Sequence, residues 1–201
     1  YNLSFLFDVL KNSLFIILRS NAHSINLYHL ESKSYLIKNK NFIFFDRKDM
    51  KKINYYLSKL KIPKNAKWVC IHNRDNEYLK KTHKYISNDQ LKDHSHRNFN
   101  IKDLFNASEF LIKNGYYVIR IGNIQEKKFD LISQKAIDYS NSKYKNDLMD
   151  IYLLSNCKFY LGSDSGIGNV AVISNKYVGL INLTYYSNLN IQSFKRFVIF
   201  K

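Results

Sequence analysis

A repeated alternation of apolar runs with helical segments, which starts at Lys67, is the feature that most constrains the fold. The apolar runs are continuous, as expected of strands that are buried on both faces of a sheet. They are WVCI at 68–71, YYVIRIG at 116–122, KFYLG at 158–162 and YVGLI at 177–181. Helical patterns lie at 100–115, 131–139, 146–155 and 167–174. This alternation predicts an α/β fold, a parallel sheet with helices on both faces.

Two of the segments between the predicted strands have informative local patterns. Asn100, with Asp103 three residues later, forms an arrangement like a capping box at the start of a helix, and Gly115 marks its end. The stretch 77–99 has no apolar period and is rich in Lys, His, Asn and Asp. We therefore expect it to be a long loop, of a length that is usually functional or disordered.

The chain before Lys67 gives weaker signals. Apolar residues at helical spacing predict a helix over 47–60, and Pro63 lies beyond its end. The short apolar runs before residue 47 fit either short strands or a helix with a following strand. The chain does not start with Met and ends just after an apolar run, so we interpret it as part of a longer protein.

Polar residues follow three of the predicted strands at their carboxyl ends, where parallel sheets bind ligands. They are His72, Arg74 and Asp75 after the first strand, Arg120 and Gly122 at the second, and Ser163, Asp164, Ser165 and Gly166 after the third. Guanidinium groups bind phosphate through paired hydrogen bonds. Two arginines at neighbouring strand ends therefore favour a phosphate-bearing ligand over ordinary surface ion pairs.

The loop from Ser163 to Gly166 allows two interpretations. Backbone N–H groups at the start of a helix attract anions, and glycines let a ligand approach closely, so the loop can hold a phosphate. The same residues also fit a plain strand-to-helix turn with a Ser or Asp cap. Asp164 suits a phosphate site poorly because its carboxylate repels a diphosphate. It fits a contact with a sugar or ribose hydroxyl, a helix cap or a base.

Two further clusters have structural alternatives. His94 and His96 have a spacing that can bind a metal, but no third ligand is evident, and a polar loop explains them equally. Asp147 and Asp150 share a helix face and fit either sugar hydroxyls or stabilisation of the helix N-terminus. The sequence lacks the glycine-rich motifs of P-loop and dinucleotide-binding proteins and the nucleophile elbow of α/β-hydrolases, which argues against those classes.

The formal net charge of +16 indicates an anionic partner. The lysines are scattered, however, and the abundance of Lys, Asn, Ile, Tyr and Phe fits AT-rich coding, so nucleic-acid binding is the weaker hypothesis. Cys70 and Cys157 lie in apolar, strand-like contexts that suit free buried thiols and a reducing, cytoplasmic setting. No run approaches the roughly 20 apolar residues of a membrane span.

Four segments occur in an order that resembles a known family. They are WVCIHNRDNEYL, HRNFNIKDLFNASEFLIKNGYYVIRIG, YSNSKYKNDLMDIYLLSNCKFYLGSDSGIGNVA and GLINL, between about Lys67 and Leu183. They resemble bacterial glycosyltransferases found with surface-polysaccharide genes, which look distantly related to GDP-fucose-using fucosyltransferases of the two-domain GT-B type. The resemblance implies a Rossmann-like fold, the nucleotide-sugar-binding half of a GT-B enzyme, and metal-independent transfer of a hexosyl or fucosyl group.

The resemblance also implies roles for individual residues. His72 and Arg74 match a His-x-Arg motif whose arginine neutralises the donor pyrophosphate. The loop from Ser163 to Gly166 matches one that contacts the donor nucleotide or its diphosphate. Arg97 and Asn98 match a His-Arg-Asn segment. Arg120, which Gly122 follows, matches a Val-Ile-Arg strand end. All of these residues are expected to bind the donor.

The same resemblance divides the chain into two parts. Residues 61–201 are expected to form the donor-binding domain, trimmed at its C-terminus. Residues 1–60 are expected to be a remnant of the acceptor domain or a link to it.

The leading hypothesis is a glycosyltransferase of surface-polysaccharide synthesis that needs no cofactor. It transfers a sugar from a nucleoside diphosphate, with GDP slightly favoured, to a glycan or lipid-linked acceptor, in the cytoplasm or at the inner membrane surface. Arg74, with Arg97 or Arg120, would neutralise the leaving diphosphate. If transfer inverts the anomeric centre, Asp75 or, second, Glu77 would be the base. The alternatives are a non-catalytic nucleotide- or glycan-binding module and a nucleic-acid-binding domain.

Overall fold

The computed structural model describes residues 43–83, 85–123, 127–182 and 196–199. Only the backbone is described for 196–199 and for Asp93 and His94. The expectations for the segments before residue 43 lie outside these ranges.

Six parallel strands form a single sheet in the described part of the chain. They are β1 Trp68–His72, β2 Tyr117–Arg120, β3 Ala136–Asp138, β4 Phe159–Gly162, β5 Tyr177–Ile181 and β6 Arg196–Ile199. Their order is β3-β2-β1-β4-β5-β6, and every neighbouring pair is parallel. This is the order of Rossmann domains, in which the direction of strand addition reverses between β1 and β4. The predicted parallel, Rossmann-like sheet is confirmed.

Helices connect the strands and cover the sheet. They are α1 Arg47–Lys59, α2 Glu77–Thr82, α3 Asn88–Ser95, α4 Phe105–Lys113, α5 Asp147–Asn156 and α6 Gly168–Ile173, with 3-10 helices at Ile101–Leu104 and Tyr139–Asn141. None of those described has the length and apolar character needed to cross a bilayer.

The strands direct alternate side chains into two apolar cores, one on each face. Cys70, Ile119 and Tyr160 pack with residues of α1, α5 and α6, among them Ile53 and Leu153. On the other face, Val69, Val118 and Leu161 pack with Ile101, Leu104 and Leu111 from the 3-10 helix and α4. Because both faces of the sheet are covered, side chains on both faces are apolar, and each strand is a continuous apolar run in the sequence. The helix α1 precedes residue 61 and yet belongs to the first of these cores.

The capping box at Asn100 is confirmed. The Asn100 side chain accepts a hydrogen bond from the Lys102 N–H at 3.2 Å, and Asp103 Oδ2 accepts one from the Asn100 N–H at 3.2 Å. The turn that it starts is a 3-10 turn, which leads into α4.

Two predictions of local structure are wrong. The stretch 77–99 is not a loop, because it contains α2 and α3, and α3 begins with a capping box between Ser87 and Gln90. The stretch 131–139 is not helical, because residues 136–138 pair with β2 as the short strand β3. Neither α2 nor β3 contains a buried residue, so their apolar patterns are weak.

Candidate functional site

The junction of β1 and β4 lies at the point where the strand order reverses, and such a point opens a crevice at the carboxyl ends of the strands. The two strands meet closely there, since His72 is paired with Gly162. A Cβ atom on Gly162 would lie 2.1 Å from the His72 carbonyl oxygen. The junction therefore requires glycine at this position.

The loop after β4 is attached to the end of β1 through Ser163. The Ser163 N–H donates to the His72 carbonyl at 3.1 Å, and Ser163 Oγ accepts from the Arg74 N–H at 2.8 Å. From below, the hydroxyl of buried Tyr160 donates to the Ser163 carbonyl at 2.8 Å. Ser163 thus joins the two strand ends. The next three residues of the loop, which include Asp164 and Ser165, are more exposed.

Arg74, Arg97 and Asp164 come together at this junction. Arg74 is half-buried, and burial is the main cause that lowers the pKa of its guanidinium. The positive charge of Arg97 lowers this pKa further, whereas the negative charge of Asp164 raises it. The fold thus holds two cationic groups close together and close to one carboxylate. An anion that binds between the guanidinium groups would relieve their repulsion.

Asn182, at the end of β5, holds the segment that carries Arg97. Its side-chain amide donates to the carbonyls of His96 at 2.9 Å and Asn98 at 3.2 Å, the residues on either side of Arg97. Asn182 is buried and has a φ of 55°, a conformation that asparagine adopts more readily than most residues. Sequence reasoning missed this residue, although an asparagine directly after a strand was a visible signal.

Arg120 lies inside the protein, with no exposed surface. Its Nη2 donates to Asn73 Oδ1 at 2.8 Å, its Nη1 donates to the Lys127 carbonyl, and Nη1 lies 3.7 Å from Asp138 Oδ1. Burial lowers the pKa of its guanidinium, and Asp138 opposes this effect. The expected direct contact between Arg120 and the donor therefore does not fit this geometry, because the guanidinium is already bound to the protein.

Asn73 links Arg120 to the segment around Arg97. Its amide nitrogen donates to the Phe99 carbonyl at 3.1 Å while its oxygen accepts from Arg120. This connection is one route by which Arg120 would affect a ligand. Gly122, which follows β2, is buried with a φ of 136°, a backbone conformation that favours glycine.

His72 is a neutral structural group at the end of β1. Burial lowers its pKa to about 4, and the nearby charges of Arg120 and Arg74 act in the same direction. The neutral ring donates from Nδ1 to the Ile121 carbonyl, 3.1 Å away. His72 therefore ties β1 to the end of β2.

The two candidate bases have different surroundings. Asp75 Oδ1 accepts from the Glu77 N–H at 3.1 Å, and the Asp75 carboxylate lies near enough to Arg120 to raise the pKa of that guanidinium. Glu77 begins α2 and pairs with Lys80 at 2.9 Å, and this hydrogen bond lowers the pKa of the Glu77 carboxyl group. Because Glu77 is held by Lys80, the geometry favours Asp75.

A cavity of about 260 Å³ that is lined mainly by polar residues lies beside this junction. Its lining includes Asp75, Asn76, Asn98, Phe99, Asn100 and Lys127. Asn98 donates from Nδ2 to Asn76 Oδ1 at 2.7 Å, so both residues have fixed positions. The structure therefore brings together Asp75 and Asn98, which the sequence had placed on separate segments.

The other polar residues that the sequence analysis singled out are engaged in local structure. Asn146 caps α5 by accepting from the Met149 N–H at 3.1 Å, and the buried Asp150 pairs with Lys145 at 2.9 Å. No three His, Cys, Asp or Glu side chains in the described part of the chain are close enough to hold a metal. The side chain of His94 lies outside the described residues. Cys70 and Cys157 are free, buried thiols.

Comparisons with known proteins establish the fold. No family model and no curated protein matches the sequence. Among solved structures, the chain is similar to the E. coli ADP-heptose LPS heptosyltransferase II, with a TM-score of 0.51 and 13% sequence identity. The similarity covers 78% of this chain and 44% of the heptosyltransferase chain. It supports the Rossmann-like α/β architecture, and the chain spans less than half of that enzyme.

Proposed function

We propose that the chain is the donor-binding part of a glycosyltransferase. It would bind a nucleoside-diphosphate sugar, and the complete enzyme would transfer that sugar to a glycan or lipid-linked acceptor. The observation that carries this proposal is that Arg74 lies near enough to Arg97 and to Asp164 for their charges to act on it, at the strand-order reversal. The similar fold of an enzyme named for ADP-heptose adds support for a sugar-nucleotide donor.

The two arginines suit the diphosphate of such a donor, and Asp164 suits its sugar. Cleavage of the bond between sugar and diphosphate leaves negative charge on the diphosphate, and guanidinium groups already in place stabilise that charge. The carboxylate of Asp164 would be repelled by the diphosphate but accepts hydrogen bonds from sugar hydroxyls. We therefore assign the diphosphate to Arg74 and Arg97, and the transferred sugar to Asp164 and Ser165.

Acceptor activation is the least constrained step. In an inverting transfer a base takes the proton of the acceptor hydroxyl as the new glycosidic bond forms. We assign this role to Asp75, because Glu77 is held by Lys80. A peripheral position at the inner membrane belongs to the same proposal. The donor-binding part would begin before residue 60, because α1 packs in its core.

A thermal-shift screen with GDP, UDP, ADP, TDP and CMP tests donor binding. A nucleotide at 100 times its dissociation constant stabilises the folded state by about 2.7 kcal/mol, which raises the melting temperature measurably. No stabilisation by any of the five nucleotides would contradict the proposal. Binding without any transfer by the complete protein would instead support a non-catalytic binding module.

Replacement of Arg74 by alanine tests the site itself. We expect Arg74→Ala to lower the affinity for the stabilising nucleotide by about 10- to 100-fold, because charge-assisted hydrogen bonds to the diphosphate are lost. Calorimetry measures this change. Arg47→Ala, which removes an exposed arginine of α1, is the matched control and should bind normally. Equal affinities of the two variants would refute the role of Arg74.

A further inference from the structure

The cavity beside the β1–β4 junction is chemically distinct from the site assigned to the diphosphate. Asn73 and Asp75 line the cavity. Arg74, which lies between them in the chain, interacts instead with Arg97 and Asp164. The two sites share one wall, because the Phe99 N–H donates to the Arg74 carbonyl at 3.3 Å. A ligand in the cavity would therefore lie next to the bound diphosphate.

The lining of the cavity suits hydroxyl groups better than a second phosphate. Amide side chains both donate and accept hydrogen bonds, and a carboxylate accepts several. Asp75 would repel a phosphate and offsets the positive charge of Lys127, while Lys80, which also lines the cavity, is paired with Glu77 at 2.9 Å. Phe99 adds an apolar surface, on which the carbon-bound hydrogens of a ring can pack.

Asn98 provides an independent sign that the cavity takes a hydrogen-bond donor. Its Nδ2 is bound to Asn76, but its Oδ1 is buried and has no hydrogen-bond partner among the described residues. An unsatisfied buried acceptor is costly, so native structures usually supply a partner. Because this oxygen has almost no accessible surface, a ligand hydroxyl would become such a partner once the Asn98 amide turns toward the cavity.

The volume of the cavity suits a single ring. The cavity measures about 260 Å³, below the range of roughly 300–1,000 Å³ that is typical of sites for drug-sized molecules. We infer that this cavity binds one sugar ring through its hydroxyls, next to the diphosphate. This inference rests on the proposed function and deepens it. The ring can be the ribose of the donor nucleotide or a separate sugar unit.

Two binding experiments with the chain distinguish these sources. The first compares the stabilising nucleotide with its 2′,3′-dideoxy analogue by calorimetry. If the ribose occupies the cavity, the analogue binds about tenfold more weakly, as expected for lost hydrogen bonds. The second adds glucose, galactose, mannose or N-acetylglucosamine to the nucleotide-saturated chain and follows backbone amide resonances. If a separate sugar occupies the cavity, residues 98–101 shift with at least one of these sugars.

Variants at the cavity decide the assignment. Asn98→Leu keeps the branched shape of the side chain and removes the amide, so it should abolish whichever response the native chain shows. Asn76→Leu should weaken that response. Asn106→Leu, at an exposed position of α4, is the control and should leave it unchanged. Melting temperatures verify that the variants are folded.

Three results would overturn the inference. The first is equal binding of the nucleotide and its dideoxy analogue, together with no response to any sugar. The second is an unaltered response in both cavity variants. The third is a resonance shift that is confined to residues away from the cavity. If the native chain binds no nucleotide at all, the proposed function fails as well. Nucleotide binding without a ring-dependent response would refute the cavity assignment alone.

Discussion

At the scale of single residues, the position of Arg97 depends on an asparagine that directly follows β5. Asn182 binds the carbonyls on both sides of Arg97 and so fixes the backbone from which the guanidinium extends. A long side chain that is held in this way loses less entropy when it binds an anion. Asn182 is therefore a positioning residue of the proposed site.

We expect Asn182→Gly to weaken nucleotide binding several-fold with a small effect on folding. Glycine adopts the φ of 55° easily, so the backbone is preserved while the amide that holds the Arg97 segment is lost. Calorimetry measures the affinity. Asn175→Gly is the matched control, since Asn175 has a φ of 57° but lies between α6 and β5, at the other end of the sheet.

A double-mutant cycle separates positioning from a general structural effect. If Asn182 acts through Arg97, Asn182→Gly should have no further effect on affinity in the Arg97→Ala background. Additive losses would show that Asn182 affects binding by another route.

His72 should make the stability of the protein depend on pH. Its pKa is about 4 in the folded state against 6.5 for an ordinary histidine, so the unfolded chain binds a proton more readily. The stabilisation is complete above about pH 6.5 and is lost as the pH falls toward 4. The loss amounts to about 3 kcal/mol, from 1.36 kcal/mol per pKa unit. Urea denaturation between pH 7 and pH 4 measures it.

Two variants isolate this effect from the titration of carboxyl groups. His72→Asn cannot take up the proton and keeps a donor for the Ile121 carbonyl, so its stability should fall less between pH 6.5 and 4. His83→Gln removes an exposed histidine and should follow the native profile. Parallel profiles for His72→Asn and the native protein would contradict the role of burial.

At the scale of secondary-structure elements, the β1–β4 junction should tolerate only glycine at 162. We expect Gly162→Ala to lower the free energy of unfolding by about 3 kcal/mol, at the upper end of overpacking costs, because the new methyl group meets the His72 carbonyl. Gly166→Ala is the control, since a Cβ there would meet nothing within 4 Å. Urea denaturation that shows equal effects for both variants would contradict this account.

The elements that the sequence predicted well are those with a strong apolar run or period. The strands β1, β2, β4 and β5 bury most of their residues, the helix α1 buries residues at helical spacing, and a local pattern records this burial. The helix α2 and the strand β3 bury none. The existence of β3 depends on the open edge of β2 next to it, which a local window does not contain.

At the scale of the whole molecule, the net charge of +16 should oppose compaction. We expect the melting temperature to rise between 10 mM and 150 mM NaCl, because the screening length falls from about 30 Å to about 8 Å. Choline chloride serves as the control and should have the same effect if screening is the cause. A melting temperature that is independent of salt would show that the positive charges are already compensated within the fold.

The same salt series tests the nucleic-acid alternative. Binding of a random-sequence oligonucleotide that weakens steeply with salt, with no stabilisation by nucleotides, would favour a nucleic-acid-binding domain over the proposed enzyme.

The sequence by itself determined the class of the fold and the end of the sheet at which a site would lie. Burial on both faces produces continuous apolar runs, and the polar residues that follow them mark the carboxyl ends of the strands. Ser163 and Arg74 could be selected in this way, because their chemistry is visible in the residue type, whereas Arg97 was selected through the family resemblance.

Only the tertiary structure decided how these residues are used. The strand order places β1 beside β4, so Arg74 approaches Asp164, while Arg120 is buried against Asn73. Asn182 reaches the Arg97 segment because β5 follows β4 in the sheet. These contacts join residues that are far apart in the chain. They depend on which strands pair, and local periodicity carries no information about that choice.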